Sequence, residues 1–360
     1  MNGKNNISIK VENDINSQSW DRFVNTSKNS SFFSLYKYNK LISDESFYIL
    51  AYDEQGSIIG GLIGRIRGNK FLINLVAKSV WVESGILANV KDEKMMEQVK
   101  SDLLSCLESE TKKRNCNFIN FNHWSRETNP TIFKKNNYKI TVNPTYISNL
   151  QQDEDSLFKR MSKGHRSTLK KALKSNLTFF VVENNIDKYI DDFYALYKNT
   201  QIRAIKNNKN SSMTLKSKSI IKSMLLDKEI PAYLNMVYND KKLASCAIFV
   251  HNSDTMIYYI GASDIDLNKN YGASNFLLWE SMLWAKNKKI NNFDFGGVPS
   301  DPSPADPAFG VFNFKKNFGG ELYYFYSGQK IINALKARIF NWVMSHRSVV
   351  RFVFNLKGKL

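Results

Sequence analysis

The densest run of residues able to do chemistry lies between Asn270 and Glu321. Tyr271-Gly272-Ala273-Ser274 opens an apolar helical run, and N–H groups exposed at such a helix start can hold a phosphate or a carboxylate. The run ends in Lys286, Lys288 and Lys289 and leads into a strand, Phe293-Asp294-Phe295. Gly296-Gly297 comes next, a pair that admits unusual backbone angles and the close approach of a ligand. A loop carrying Pro299, Pro302, Pro304 and Pro307 then reaches Lys315-Lys316 and Gly319-Gly320. Asp301 and Asp306, in that loop, are candidate proton acceptors.

Other chemistries find no matching pattern. His123, His165, His251 and His346 are far apart, and none sits at zinc-ligand spacing with a cysteine, so no metal site is expected. There is no Gly-x-Ser-x-Gly elbow, no phosphate-binding Walker loop and no dinucleotide fingerprint, so no cofactor is implied. Gly64–Gly68 carries Arg65 and Arg67 at the end of a predicted strand, where solvated edge arginines are expected. What remains are reactions carried by positioning and electrostatics.

The elements that must position these residues fall into two halves. A chain of 360 residues is expected to form two domains, 1–150 and 151–327, followed by a basic tail, 328–360. Apolar residues make up 42%, and 24 Phe with 17 Tyr suffice for two cores. In the first half, Ser46–Tyr52 and Ile58–Ile66 read as strands about the turn Asp53-Glu54-Gln55-Gly56. Phe71–Val76 and Ser79–Val82 read as further strands. Met96, Val99, Leu103 and Leu107 then mark a helix over Asp92–Lys112, and strands follow at Asn117–Phe121 and Pro144–Ser148. The second half repeats this order: helices at Ile186–Thr200 and Leu215–Leu226, strands at Ala232–Tyr238, Ala244–His251 and Thr255–Gly261, the helix Ala273–Lys286, and the strand Asn292–Phe295. Hairpins, then helix and strand, predict an α/β fold with mixed (α+β) sheets and an internal structural repeat.

Charge and cysteine usage narrow the setting. Three scattered cysteines, Cys106, Cys116 and Cys246, argue for a reducing compartment. The first 25 residues hold no signal-like apolar core, and no apolar run approaches the ~20 residues that span a bilayer. A cytoplasmic protein is expected, soluble or peripheral at the inner face of the membrane. The net charge of +18 favours a polyanionic partner. It concentrates in a connector, where Lys159, Arg160, Lys163, Arg166, Lys170, Lys171 and Lys174 occur without an acid among them, and in the acid-free tail from Gly328 on. In that tail Ile332, Leu335, Ile339 and Trp342 or Val343 recur at helical period. Residues 330–357 therefore read either as a helix in a membrane interface or as a helix capping one of the domains.

Phe293-Asp294-Phe295-Gly296-Gly297, followed by Gly310 through Phe314, then Lys315, Phe318, Gly319 and Gly320, resembles the C-terminal signature of the Fem peptidyltransferase family (FemABX). Lys163-Gly164-His165-Arg166 with Leu169-Lys170-Lys171-Ala172 is similar to that family's connector, and Thr145–Leu150 to the strand closing its first domain. The match spans most of residues 140–325; before that it is architectural. It implies two tandem acetyltransferase-like (GNAT, acyl-CoA N-acyltransferase-like) domains. The implied activity is transfer of an amino acid from aminoacyl-tRNA to an amine on a nucleotide- or lipid-linked peptidoglycan precursor.

The resemblance also implies roles. Aminolysis of an activated ester needs an amine held near the carbonyl and a cation for the developing oxyanion. Lys315 matches the family lysine that stabilises that charge; Asp294, at a strand end before two glycines, either caps the loop or orients the amine. Arg166 matches an arginine that contacts phosphate, with Lys163 close by in sequence. Tyr258, Tyr259 and Tyr271 line the pocket or pack in the core, and Gly296 and Gly297 let the substrate approach. Two departures leave the donor open. The long helical arm of several family members is missing between 176 and 232, and so is the glycine-rich pyrophosphate loop of coenzyme A users. An acyl-CoA-dependent N-acyltransferase acting on a sugar of a surface polysaccharide is the second reading, and a non-catalytic RNA- or membrane-binding protein the third.

Overall fold

A computed structural model describes residues 7–43, 45–68, 74–207 and 215–345. The chain divides into two compact units, residues 1–142 with 325–360, and Asn143–Tyr324. The boundaries thus fall at 142/143 and 324/325, where the sequence reading set 150/151 and 327/328.

In the first unit β1 (Ser8–Glu12) is followed by α1 (Ser17–Thr26), α2 (Tyr36–Ile42), β2 (Ser46–Tyr52), β3 (Ile58–Arg67), α3 (Asn74–Ala77) and β4 (Ser79–Val82). The four strands pair antiparallel in sequence order, and the two-residue β5 (Leu87–Ala88) also pairs β3. Asp53 makes the β2–β3 turn, its carboxylate accepting the N–H groups of Gln55 and Ser57, and Gly56 takes the positive φ of 78° that the turn needs. Helix α4 (Glu93–Lys113) is capped by the Asp92 side chain, which accepts Met95 N–H. Its stripe of Val99, Leu103 and Leu107 is buried with Ile49, Leu62, Val80 and Ile119. Then β6 (Phe118–Phe121) returns parallel to β4. After α5 (Thr131–Lys135), β7 (Lys139–Asn149) carries the chain across the boundary.

The second unit opens with α6 (Glu154–Arg160), α7 (Lys163–Leu173), β8 (Leu177–Val182), α8 (Ile186–Asn207) and α9 (Lys218–Leu226). Strands β9 (Ala232–Asn239), β10 (Lys242–Asn252) and β11 (Thr255–Ser263) extend β8 into an antiparallel run. Asp240, at a φ of 53°, turns β9 into β10 as the Asn239-Asp240 pair predicts. Helix α10 (Ile265–Tyr271) and the apolar α11 (Ala273–Asn287) cross over, and β12 (Asn292–Gly297) lies parallel to β11 and antiparallel to β7. Helix α12 (Phe309–Lys316) precedes β13 (Glu321–Ile331), which returns the chain to the first unit, where its end pairs with β6 before α13 (Ala334–Ser345). Each unit therefore has the same plan: an antiparallel run, a crossover helix, and a parallel return. The expected repeat and the mixed α/β class both hold.

Several local expectations change. Of the strand expected over Phe71–Val76, residues 71–73 lie outside the described residues, and Asn74–Ala77 is helical. The connector is helical, with Asp153 and Ser162 capping two successive helices through their side chains. The helix expected from Leu215 begins at Lys218. Arg65 is not a solvated edge residue: β3 is paired on both sides, and Arg65 is buried in an ion pair with Glu83, which Arg67 and Asn122 also approach. Burying both charges together is what makes this position tolerable for a guanidinium. His346 and the basic residues beyond it lie outside the described residues.

Candidate active site

The site begins where two parallel strands part company. Strand β12 pairs with β11 only through Thr255↔Asn292, Met256↔Phe293 and Ile257↔Asp294. Beyond that point β11 stays with β10 as far as Ser263, while β12 stays with β7 through Gly297↔Thr145. Lys315, near the end of α12, reaches across this parting. Its Nζ donates to the Gly297 carbonyl at 2.9 Å and stands 5.7 Å from the centre of the Tyr258 ring on β11.

The Phe-Lys-x-x-Phe motif explains how the lysine is held. Phe314 and Phe318 are four residues apart and share one face. Phe318 stacks on Phe295 at 5.1 Å and meets His165 edge-on at 4.9 Å, and the Phe314 ring lies 5.4 Å from His165. Lys315, one residue round from Phe314, is thereby turned inward and is 9% exposed, while Lys316 is exposed and lies over Phe312. Burial lowers the Lys315 ammonium from 10.5 to about 8, and the carboxylate of Asp294 works in the opposite direction. A cation so placed is poorly hydrated, which strengthens its pull on any negative charge that develops nearby.

Asp294 is fully buried. Its Oδ1 accepts the Thr145 hydroxyl and, at 2.7 Å, the N–H of Gly296. It thus caps the turn after β12, where Gly296 takes a φ of 76° and Gly297 offers its carbonyl to Lys315. Thr145, Asp294, Gly296, Gly297, Lys315 and Tyr258 form one connected group. The phenol of Tyr258 lies over Gly261, where an added Cβ would sit 1.6 Å from its oxygen. Desolvation pushes that phenol's pKa up, so it stays neutral.

The remaining predicted residues sit elsewhere. Tyr259, the next residue on β11, holds Lys216 over its ring at 4.9 Å, and alternation along a strand turns it away from Tyr258. Arg166 donates to the carbonyls of Lys159 and Met161, closing the end of α6, and Lys163 is exposed at the first position of α7. Tyr271 ends α10, just before Gly272 at a φ of 71°. The start of α11 is not open as expected. Asn268 Oδ1 accepts Ser274 N–H at 2.9 Å, and Gly272 is packed so closely that a Cβ there would lie 2.5 Å from Thr168. Asp306 accepts Ala308 N–H ahead of α12, and Asp301 is an exposed loop residue at a φ of 48°.

The sequence reading passed over two contributors. Thr145 stands there only as part of a strand, and His165 only within a basic run and among the scattered histidines. His165 is partly buried, burial lowers its pKa, and its Nε2 has no hydrogen-bond partner among the described residues. The aromatic residues at 314 and 318 were the available signal that something must face them.

Comparison with known structures identifies the class first. The chain has the fold of tandem GNAT proteins: a tandem GNAT protein from the clavulanic acid biosynthesis pathway matches with a TM-score of 0.57 and 9% identity over 91% of this chain and 99% of that one. Within that class the likeness to FemX is greater, with a TM-score of 0.72 and 15% identity over 92% of this chain and 99% of FemX. L-PGS from Bacillus licheniformis matches with a TM-score of 0.55 and 10% identity over 95% and 99% of the two chains. A model of the FemAB family matches residues 203–341, a span that contains β12, α12 and Lys315. The resemblance to the Fem family read from the sequence is therefore borne out. No curated protein sequence matches the chain.

Proposed function

We propose that this protein is a Fem-type aminoacyltransferase, moving an amino acid from aminoacyl-tRNA to an amine on a nucleotide- or lipid-linked peptidoglycan precursor in the cytoplasm. The observation that carries the reading is Lys315: a buried cation, fixed by a backbone carbonyl, at the parting of β11 and β12. The acceptor amine, deprotonated, attacks the ester carbonyl. A C–N bond forms, the carbonyl oxygen takes up negative charge beside Lys315, and the collapse of that adduct breaks the ester C–O bond to release the ribose hydroxyl. The proton lost by the amine matches the one gained by the leaving oxygen. Oxyanion stabilisation of this kind is worth about 3–4 kcal/mol per donor.

Two features support transfer RNA over coenzyme A. The net charge of +18 suits a polyphosphate backbone. The start of α11, where a pyrophosphate would need free N–H groups, is filled by Asn268 and covered by Thr168. Arg166 and Lys163 are proposed as phosphate contacts at the α6–α7 junction, with Arg166 keeping an ionic edge while it closes α6. The test is transfer of label from pooled radiolabelled aminoacyl-tRNAs to envelope precursors, with and without ribonuclease. Ribonuclease-sensitive incorporation supports the reading. No incorporation, together with saturable acyl-coenzyme A binding, would replace it with an N-acyltransferase acting on a polysaccharide sugar.

A further inference from the structure

Helix α13 is apolar on two sides. Ala337 is 2% exposed, and the Phe340 ring meets Phe118 at 5.5 Å, so this side docks on the first unit. On the other side Leu335 is 68% exposed and Ile339 44%, with Trp342, 57% exposed, beside them. At about 100° per residue these three fall within about 60° of one another, a single stripe along the helix. Arg338 and Lys336 flank the stripe, one on each side. From Gly328 to the end of the chain there are seven basic residues and no acid.

An apolar stripe bordered by cations restricts what can cover it. A second copy of this face would bring Lys336 and Arg338 against their own counterparts, with no acid in the segment to offset them. The chain beyond residue 345 has four Lys and Arg residues and no acidic side chain, so it offers Lys336 and Arg338 no counter-charge. A nucleic acid would neutralise the cations and leave Leu335 and Ile339 in water. An anionic bilayer satisfies both features: acyl chains accept the stripe, and headgroup phosphates accept the ammonium and guanidinium groups. Twelve helical residues span about 18 Å against a hydrocarbon core of about 30 Å, so the helix can lie on the surface and not cross it.

We propose that α13 is a membrane-docking helix, lying in the interface of an anionic bilayer with Leu335, Ile339 and Trp342 immersed and Lys336 and Arg338 at the phosphates. This goes beyond the reading of the Lys315 site and does not depend on it, because lipid binding is measured without substrate or turnover. The experiment is co-sedimentation of the full chain with vesicles of phosphatidylcholine alone and of phosphatidylcholine with 30% phosphatidylglycerol, at low and high salt. Binding to the anionic vesicles that weakens with salt is expected. Leu335→Ser with Ile339→Ser should weaken partitioning about tenfold or more, and Lys336→Gln with Arg338→Gln should abolish the preference for phosphatidylglycerol. Both apolar positions are exposed, so an unchanged melting midpoint shows that the serine variant is folded. Wild-type protein that ignores anionic vesicles, or a folded serine variant that binds as tightly, overturns the proposal. So does a lipid-free dimer, seen by light scattering, that dissociates on the serine substitutions.

Discussion

Replacing Lys315 with Met removes a buried cation while keeping a side chain of similar length. In the folded protein the ammonium titrates near 8, against 10.5 when exposed, and the cause is burial. The unfolded chain therefore binds more protons between these values, and wild-type stability rises as pH climbs from about 8 to 10.5. Below 8 the buried charge costs about 3 kcal/mol, and by pH 9 about 2 kcal/mol. Against this stands the hydrogen bond to Gly297, worth about 1–1.5 kcal/mol. Lys315→Met should thus be more stable than wild type by about 1–2 kcal/mol at pH 7, a rise in melting midpoint of about 2–8 °C. Its advantage should shrink by about 1 kcal/mol between pH 7 and 9. On the proposed mechanism, in which Lys315 faces the forming oxyanion, transfer activity should fall at least a hundredfold. Thermal melts of both proteins across pH, beside label transfer at pH 7, make the test. A variant less stable than wild type at pH 7, or an advantage that does not change with pH, would refute the argument that Lys315 is a desolvated cation kept for chemistry.

Other consequences follow from neighbouring contacts. Thr145→Val removes the hydroxyl's hydrogen bond to the buried Asp294 carboxylate; about 1.5–3 kcal/mol of stability should be lost, with kcat falling more than KM changes, whereas Thr145→Ser should restore stability and turnover. Gly319→Ala should cost about 3 kcal/mol or more, read as a lowered midpoint, because Gly319 has a φ of 79° and a Cβ would lie 2.3 Å from the Arg160 carbonyl oxygen. Burial holds His165 below its usual 6.5, so folding favours its neutral form and stability should drop as pH falls through 6.5 and below. Pairing denaturant titrations of wild type and His165→Gln at pH 7.5 and 5 should show a smaller acid loss in the variant, and an equal loss would mean that His165 is not the group responsible.

Local sequence patterns determined a good deal about this protein. The stripe at Val99, Leu103 and Leu107 and the turns at Gly56 and Asp240 are short-range signals, and each stands where the sequence placed it. The repeated order of hairpins, helix and strand predicted two similar folds, and the Phe-Lys-x-x-Phe-Gly-Gly run pointed to Lys315. What only the tertiary structure decided are pairings between residues far apart in the chain. That Lys315 is buried and Lys316 exposed depends on Phe295 and His165 meeting Phe314 and Phe318. That Thr145 holds Asp294 depends on β7 lying beside β12, 149 residues later. Arg65 reads as a surface arginine until Glu83, just past the end of the adjacent strand β4, is brought against it. The closed start of α11 depends on Thr168 arriving from α7. In each case the side chain's environment is set by a partner that no window of neighbouring residues contains, and that environment decides whether a charge is solvated, paired or available for chemistry.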